Sequence, residues 1–383
     1  MNADLNIQRI TGGLARKRFI ELPFALYRDD PHWVPPLNRD QEKILCGGTA
    51  FFANAEMNLF LALRGNEVVG RIAAIHNRAH LAAHGDGVGF FGFFECAPGD
   101  AQAAGGLLKA AEDFLRSRGL ATVRGPVNPS MNSACGLLVE GFDSPPMILM
   151  PHNPPYYGPM LESLGLAKCK DLYAYAISSD IVGAGTPALD RLLRLTEAVR
   201  RRCPEVTLRT LNMRDYEREV LRFIGIFEEA RRNNWGYVPL TREEILQSAR
   251  EMKRIIDPEL IILAEAGGQP AGALLALPNV NRAMAVLKGR LGPVGLLRFM
   301  CRMRRIDDMR VIGVAALEKY RRKGITGLLF GQVILNGLKR GIRLAEASWV
   351  LEDNFNSNQT IQGAFNPRRY KTYRIYEKSL LVT

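Results

Sequence analysis

The chain lacks any run of roughly eighteen consecutive apolar residues, the length an ordinary membrane-spanning helix needs. Its first ten residues, MNADLNIQRI, have no basic-then-apolar secretory pattern, so the expected location is the cytoplasm. Cysteine is sparse: the six, at 46, 96, 135, 169, 203 and 301, form no C-x-x-C pair and no Cys/His cluster. That spacing argues against a disulfide framework, and no metal site is expected. Acidic residues are the minority, 39 against 51 Lys and Arg, for a net charge of +12. The excess favours an acidic partner: nucleic acid, an anionic membrane or a phosphorylated cofactor. No nucleic-acid reader motif or repeated basic–aromatic pattern accompanies it, so no nucleic acid is expected.

What is present is a core-forming composition and a repeat. With 383 residues, 47% of them hydrophobic, the chain divides most naturally into two domains. NLFLALRGNEVVGRIAA at 58–74 reads as two strands around Gly65–Asn66, and LIILAEAGGQPAGALLAL at 260–277 reads the same way around Gly267–Gly268. Each hairpin is followed, after an insertion, by an apolar strand, a helix and another strand. The first helix, 106–118, carries Leu107, Leu108, Ala111, Phe114 and Leu115 on one side; the second, 325–340, carries Ile325, Leu328, Leu329, Val333 and Leu335. Both end at Arg–Gly, where glycine takes the left-handed cap conformation. Each half closes on an aromatic strand, DLYAYAI at 171–177 and KTYRIYEKSL at 371–380. The expected fold is mixed α+β and α/β: two tandem domains with bent mixed sheets flanked by helices, 1–180 and 205–383. The boundary is expected in the Gly/Ser-rich stretch 178–187, with a linker or bridging helix over 181–204.

Charge concentrates where the second half turns from strand to helix. In RVIGVAALEKYRRKGITGLLF, 310–330, an apolar strand runs through a basic, Gly-containing turn into a helix, the arrangement that offers backbone N–H groups to an anion. Arg298, Arg302, Arg304, Arg305, Arg310, Lys319, Arg321, Arg322 and Lys323 crowd this stretch. The matching place in the first half, Asp100 to Gly106, has no such cations, and its acid would repel a pyrophosphate. One pyrophosphate-bearing cofactor per chain, held by the second half, is the expectation.

These residues resemble the Gcn5-related acyl-CoA N-acyltransferase superfamily, whose pyrophosphate loop reads Gln/Arg-x-x-Gly-x-Gly/Ala. Arg321, Arg322, Lys323, Gly324, Ile325 and Thr326 occupy that pattern, with Thr326 departing from its last position and Gly327 next. LPFALYRDDPHWVPPL at 22–37, GFFGFFE at 89–95, RGPVNPSMNSACGLLVEGFDSPPMILMPHNPPYY at 124–157 and KTYRIYEK at 371–378 are similar to a bacterial two-domain group within it. Some members of that group are linked to N-acylation of a sphingoid base, the ceramide synthase reaction. The resemblance implies acyl-CoA or acetyl-CoA as donor, an amine acceptor, and a fifth strand, 344–350, that splays from the fourth to admit pantetheine. It places an oxyanion donor near Val314 to Leu317 and donor-binding groups at Leu317, Arg321, Arg322, Lys323, Gly324, Ile325, Thr326, Gly327, Asn354 and Asn358. The superfamily's acid Tyr has no counterpart: Ile361 and Leu161 stand at the comparable places.

Proton-transfer candidates therefore come from this sequence. Glu352, just past the splayed strand, could act on the amine through water, or be a surface carboxylate. His152 can exchange a proton near neutral pH, or be a hydrogen-bonded structural histidine. Asn128, Asn132, Tyr156 and Tyr157 are candidate acceptor-binding residues, with turn formation and packing as their bland readings. GRLGPVGLLRFMCRM at 289–303, apolar and basic by turns, could meet a lipid or an anionic membrane surface, or pack as an ordinary insertion. Small-amine or peptide acetylation, and a non-catalytic acyl-CoA or lipid-binding module, remain open alternatives.

Overall fold

The structure, a computed structural model, describes residues 4–320 and 323–381. In chain order the first part runs β1 (Leu5–Arg9), α1 (Gly13–Leu26), α2 (Asn38–Leu45), β2 (Ala55–Arg64), β3 (Glu67–Asn77), α3 (Arg78–His84), β4 (Val88–Cys96), α4 (Ala101–Ser117), β5 (Thr122–Gly125), β6 (Val127–Asn128), β7 (Ala134–Cys135), β8 (Leu137–Glu140), α5 (Tyr157–Ser163) and β9 (Ala167–Ser178). The remainder runs α6 (Ser179–Val182), α7 (Pro187–Arg202), β10 (Val206–Thr210), α8 (Tyr216–Arg231), α9 (Arg242–Met252), β11 (Ile261–Ala266), β12 (Gln269–Pro278), α10 (Asn281–Met284), α11 (Pro293–Met303), β13 (Asp308–Ala316), α12 (Ile325–Lys339), β14 (Leu344–Leu351), α13 (Phe355–Phe365) and β15 (Arg368–Ser379). The chain forms two compact units: Met1–Leu172 with Met284–Phe299 and Lys371–Thr383, and Tyr173–Ala283 with Met300–Tyr370.

Both units use one design. In the first, β1, β2, β3 and β4 pair antiparallel in sequence order and β4 pairs parallel with β5, which pairs antiparallel with the C-terminal β15. In the second, β10, β11, β12 and β13 pair antiparallel and β13 pairs parallel with β14. Parallel neighbours need a crossover, and α4 and α12 supply it. Each crossover helix buries an apolar stripe at helical spacing: Leu107, Leu108, Ala111 and Leu115 on α4, and Ile325, Leu328, Leu329 and Val333 on α12. Burying each such side chain stabilises by about 1.5–3 kcal/mol. The opposite face of the second sheet is covered by α8 and α9, whose Phe223, Ile226, Phe227 and Ala249 pack with Leu263, Ala273 and Ala315.

Each parallel pair is short, and then its strands part. β4 and β5 stay in register only from Val88–Thr122 to Phe90–Arg124; β13 and β14 only from Asp308–Leu344 to Val311–Ala347. A β-bulge sits just past each end, between the Gly92 and Glu95 pairings of β4 and between the Val311 and Gly313 pairings of β13. The extra residue bends the strand and reverses which face later side chains occupy. Met309 and Val311 accordingly join the α12-side core, whereas Ala315 joins the α8-side core.

Candidate functional site: the two strand wedges

The wedge of the second unit opens beside a helix start. Gly324 caps α12 in the left-handed region, φ 83°, and a Cβ there would stand 2.6 Å from Val199, so glycine is required on two counts. Among the described residues no side chain caps α12, its first turn holds no acid, and its first intrahelical bond runs from Leu328 N–H to Gly324 C=O. The N–H groups of Ile325, Thr326 and Gly327 are therefore the orphan donors that a helix start presents to an anion. Gly327 adds open space, since a Cβ there would meet nothing within 4 Å. Lys323 lies over the Tyr320 ring, 5.4 Å away, and 3.7 Å from Glu205. Arg321 and Arg322 lie outside the described residues.

A buried ion pair braces the wedge apex. Arg310 and Glu346 face each other in the last part of the β13–β14 ladder. Arg310 Nε donates to Ser348 Oγ at 2.8 Å, Ser348 and Tyr370 hydroxyls donate to Glu346, and both charged residues are almost fully buried. This corrects the reading of Arg310 as one of the cations around the anion turn: it is committed inside the sheet. Leu317 likewise spends its N–H on Ala271 C=O at 3.0 Å. Past β14, Glu352 is half-buried and its C=O accepts from Asn358. Asn354 caps α13 by accepting from Ser357 N–H at 3.2 Å. Asn358 accepts from Tyr175 OH at 2.8 Å and donates to Leu351 C=O at 3.0 Å, fastening α13 to β14.

The wedge of the first unit is filled by its own chain. Asn128 Oδ1 accepts the Phe93 N–H at 2.6 Å, at the bulge, and a Cβ on Gly92 would lie 1.7 Å from Val127 O. The helix start is occupied too: Asp100 caps α4 by accepting from Ala103 N–H, and Arg64 grips the same carboxylate with two 2.8 Å bonds. Arg64 holds the Asp100 carboxyl below its usual range, so an anion already stands where a pyrophosphate would. Asn132 is exposed in the turn that follows β6.

His152, Tyr156 and Tyr157 come together around residues that the sequence reading missed. Glu95 is mostly covered: Tyr27 and Tyr157 hydroxyls donate to one oxygen at 2.8 Å each, and Arg71 reaches the other at 3.3 Å. Burial pushes the Glu95 carboxyl up despite those partners. Tyr156 donates to Cys96 C=O at 2.8 Å, and burial pushes its hydroxyl up to about 12. His152 Nε2 lies 2.8 Å from Asp30 Oδ2, while its Nδ1 is buried without a hydrogen-bond partner. A carboxylate on Nε2 fixes the proton there and leaves the Nδ1 lone pair free. Burial, outweighing Asp30, depresses the imidazolium, so the ring is neutral at pH 7 and able to accept a proton. The missed signal was Glu95, alone as a charge in VGFFGFFEC.

No family model matches the chain. A bacterial ceramide synthase from Caulobacter vibrioides is 38% identical over 388 residues, covering 99% of this chain and 98% of that protein. The protein YghO from Escherichia coli is 32% identical over 371 residues, covering 95% and 93%. Among solved structures, a tandem GNAT protein from the clavulanic acid biosynthesis pathway superposes with a TM-score of 0.57 at 14% identity, covering 99% of this chain and 100% of that one. A GCN5-related N-acetyltransferase from Sphaerobacter thermophilus gives 0.54 at 15% identity, covering 99% and 96%. The repeated, bulged and parted sheets are thus the tandem GCN5-related acyltransferase fold, and the chain belongs to the bacterial family of the Caulobacter ceramide synthase and YghO.

Proposed function

We propose that this acyl-CoA-dependent N-acyltransferase holds one donor per chain, in its second unit, and delivers the acyl group to the amine of a long-chain sphingoid base. The observation that carries the donor assignment is the difference between the wedges: the one beside Gly324 has an uncapped helix start, and the one beside Asp100 is plugged by Asn128. Pyrophosphate on the N–H groups of Ile325, Thr326 and Gly327 would direct the pantetheine between β13 and β14, where a sheet edge supplies amide partners. A neutral amine then forms the N–C bond, the C–S bond breaks, and the amine proton ends on the CoA thiol. Glu352, in the same unit as the donor, is our candidate for the group that first accepts that proton.

The lipid acceptor rests on the ceramide synthase relative and on α11. That helix turns Val294, Leu296, Leu297 and Met300 outward, 43–65% exposed, with Arg298 and Arg302 along one flank. An outward apolar stripe bordered by arginines is the pattern of a helix lying in an anionic interface. No helix among the described residues is long and apolar enough to cross a membrane. In micelles containing anionic lipid, the protein should release CoA from a long-chain acyl-CoA when a sphingoid base is supplied and form the amide seen by mass spectrometry. Acylation of small polar amines alone would refute the lipid acceptor and leave the acyltransferase standing.

A further inference from the structure

Arg231, the last residue of α8, has a charge that no described residue answers. The two buried arginines have acids, Arg71 with Glu95 and Arg310 with Glu346. The Arg231 side chain makes no hydrogen bond or ion pair among the described residues; its guanidinium lies over the Phe227 ring, 4.5 Å from the centroid. Arg231 is half-buried, and desolvation of its head group draws its pKa down to about 10, leaving it charged at neutral pH. A desolvated cation without a counter-charge is costly, so a site that keeps one is built for negative charge that arrives later.

Its position says which charge. The head group presses against Gly313: a Cβ there would lie 1.9 Å from Arg231 Nη2 and 2.9 Å from Phe227. Gly313 is the residue after the β13 bulge, two beyond the last β13–β14 pair at Val311–Ala347. Because the bulge reverses the strand's faces, Gly313 turns towards α8 and lets the guanidinium touch the backbone at the mouth of the wedge.

Resting on the donor-site reading above, we propose that Arg231 is a catalytic residue that donates N–H groups to the thioester oxygen as it becomes an oxyanion. The amine nitrogen bonds to the carbonyl carbon, the C=O electron pair moves onto that oxygen beside Arg231, and its return expels the CoA sulfur, which takes up the amine's proton. Water attacking the same thioester passes through the same oxyanion.

The test follows CoA release from a long-chain acyl-CoA with a sphingoid base and, separately, with no amine. Arg231→Met should lower kcat about 100-fold or more in both assays while CoA binding stays within twofold, the size expected for one oxyanion donor. Added guanidinium should restore part of the rate to Arg231→Ala, which a packing role would not produce. Arg231→Lys, which keeps charge and stem, guards against misfolding and should fall in between. Loss of amide formation with acceptor-free hydrolysis unchanged would overturn the assignment in favour of acceptor binding. Full activity in Arg231→Met, or a loss explained by lower Tm and not rescued, would also overturn it. Wild-type protein that binds no CoA would instead defeat the donor-site reading.

Discussion

The first unit fills the gap between its parted strands with Asn128 and caps the adjoining helix with Asp100; the second leaves the gap to Gly313 and an Arg231 that no described residue pairs, and starts its helix on Gly324. Two copies of one backbone design thus differ in who satisfies the bulge and the helix start. Where the chain supplies its own amide and carboxylate, the copy is complete without a ligand. Where it supplies neither, a carbonyl and an anion can enter. A duplicated fold can keep its architecture while a few side chains set its two copies apart.

The largest effect is expected at Glu352. Glu352→Gln should cut kcat by about 10²–10³-fold, in the range of a lost general base, with CoA affinity unchanged. Parallel measurement of His152→Gln sharpens the assignment: a greater loss there would make His152 the proton acceptor. Gly324→Ala should come next. The left-handed residue and the 2.6 Å approach to Val199 predict about 1–2 kcal/mol of strain and a roughly tenfold weaker CoA titration. Asp100→Ala, at the equivalent place, should leave that titration within twofold and lower stability by about 0.5–2 kcal/mol, the usual cost of a lost cap. Asn128→Ala strips the Phe93 N–H of its acceptor, costing about 1–3 kcal/mol in denaturant unfolding. CoA stoichiometry should stay at one; a second equivalent would mean the plug alone separates the units.

The smallest effect concerns acid. The pKa of His152 is depressed in the folded state, so the unfolded chain binds the proton first as pH falls below about 6.5. Its contribution to stability is full above that value and is lost as pH drops towards the folded pKa. His152→Gln should flatten unfolding free energy between pH 7 and 5 relative to the wild type.

Local signals made the frame legible. The hairpins, the crossover helices and the Arg–Gly stops were readable because alternation, helical periodicity and glycine caps act over a few residues. Gly324 was readable for the same reason. The pairing of 371–380 with β5 was not, because strand patterning names no partner across so long a stretch of chain. Asn128 could be singled out as a polar residue in an unusual Pro-containing connection, but its bond to Phe93 depends on a bulge in another strand. Arg231 ends an amphipathic helix, where a cation normally meets water and the helix dipole. Only the reversal of faces after Val311 sets its head group against Gly313.

Amide hydrogen exchange with and without a non-transferable acyl-CoA analogue tests the donor assignment most directly. Protection should appear across 308–328 and 344–351 and be absent from 88–106. Protection concentrated in the first unit's β4 and α4, with the second unit unchanged, would contradict the account.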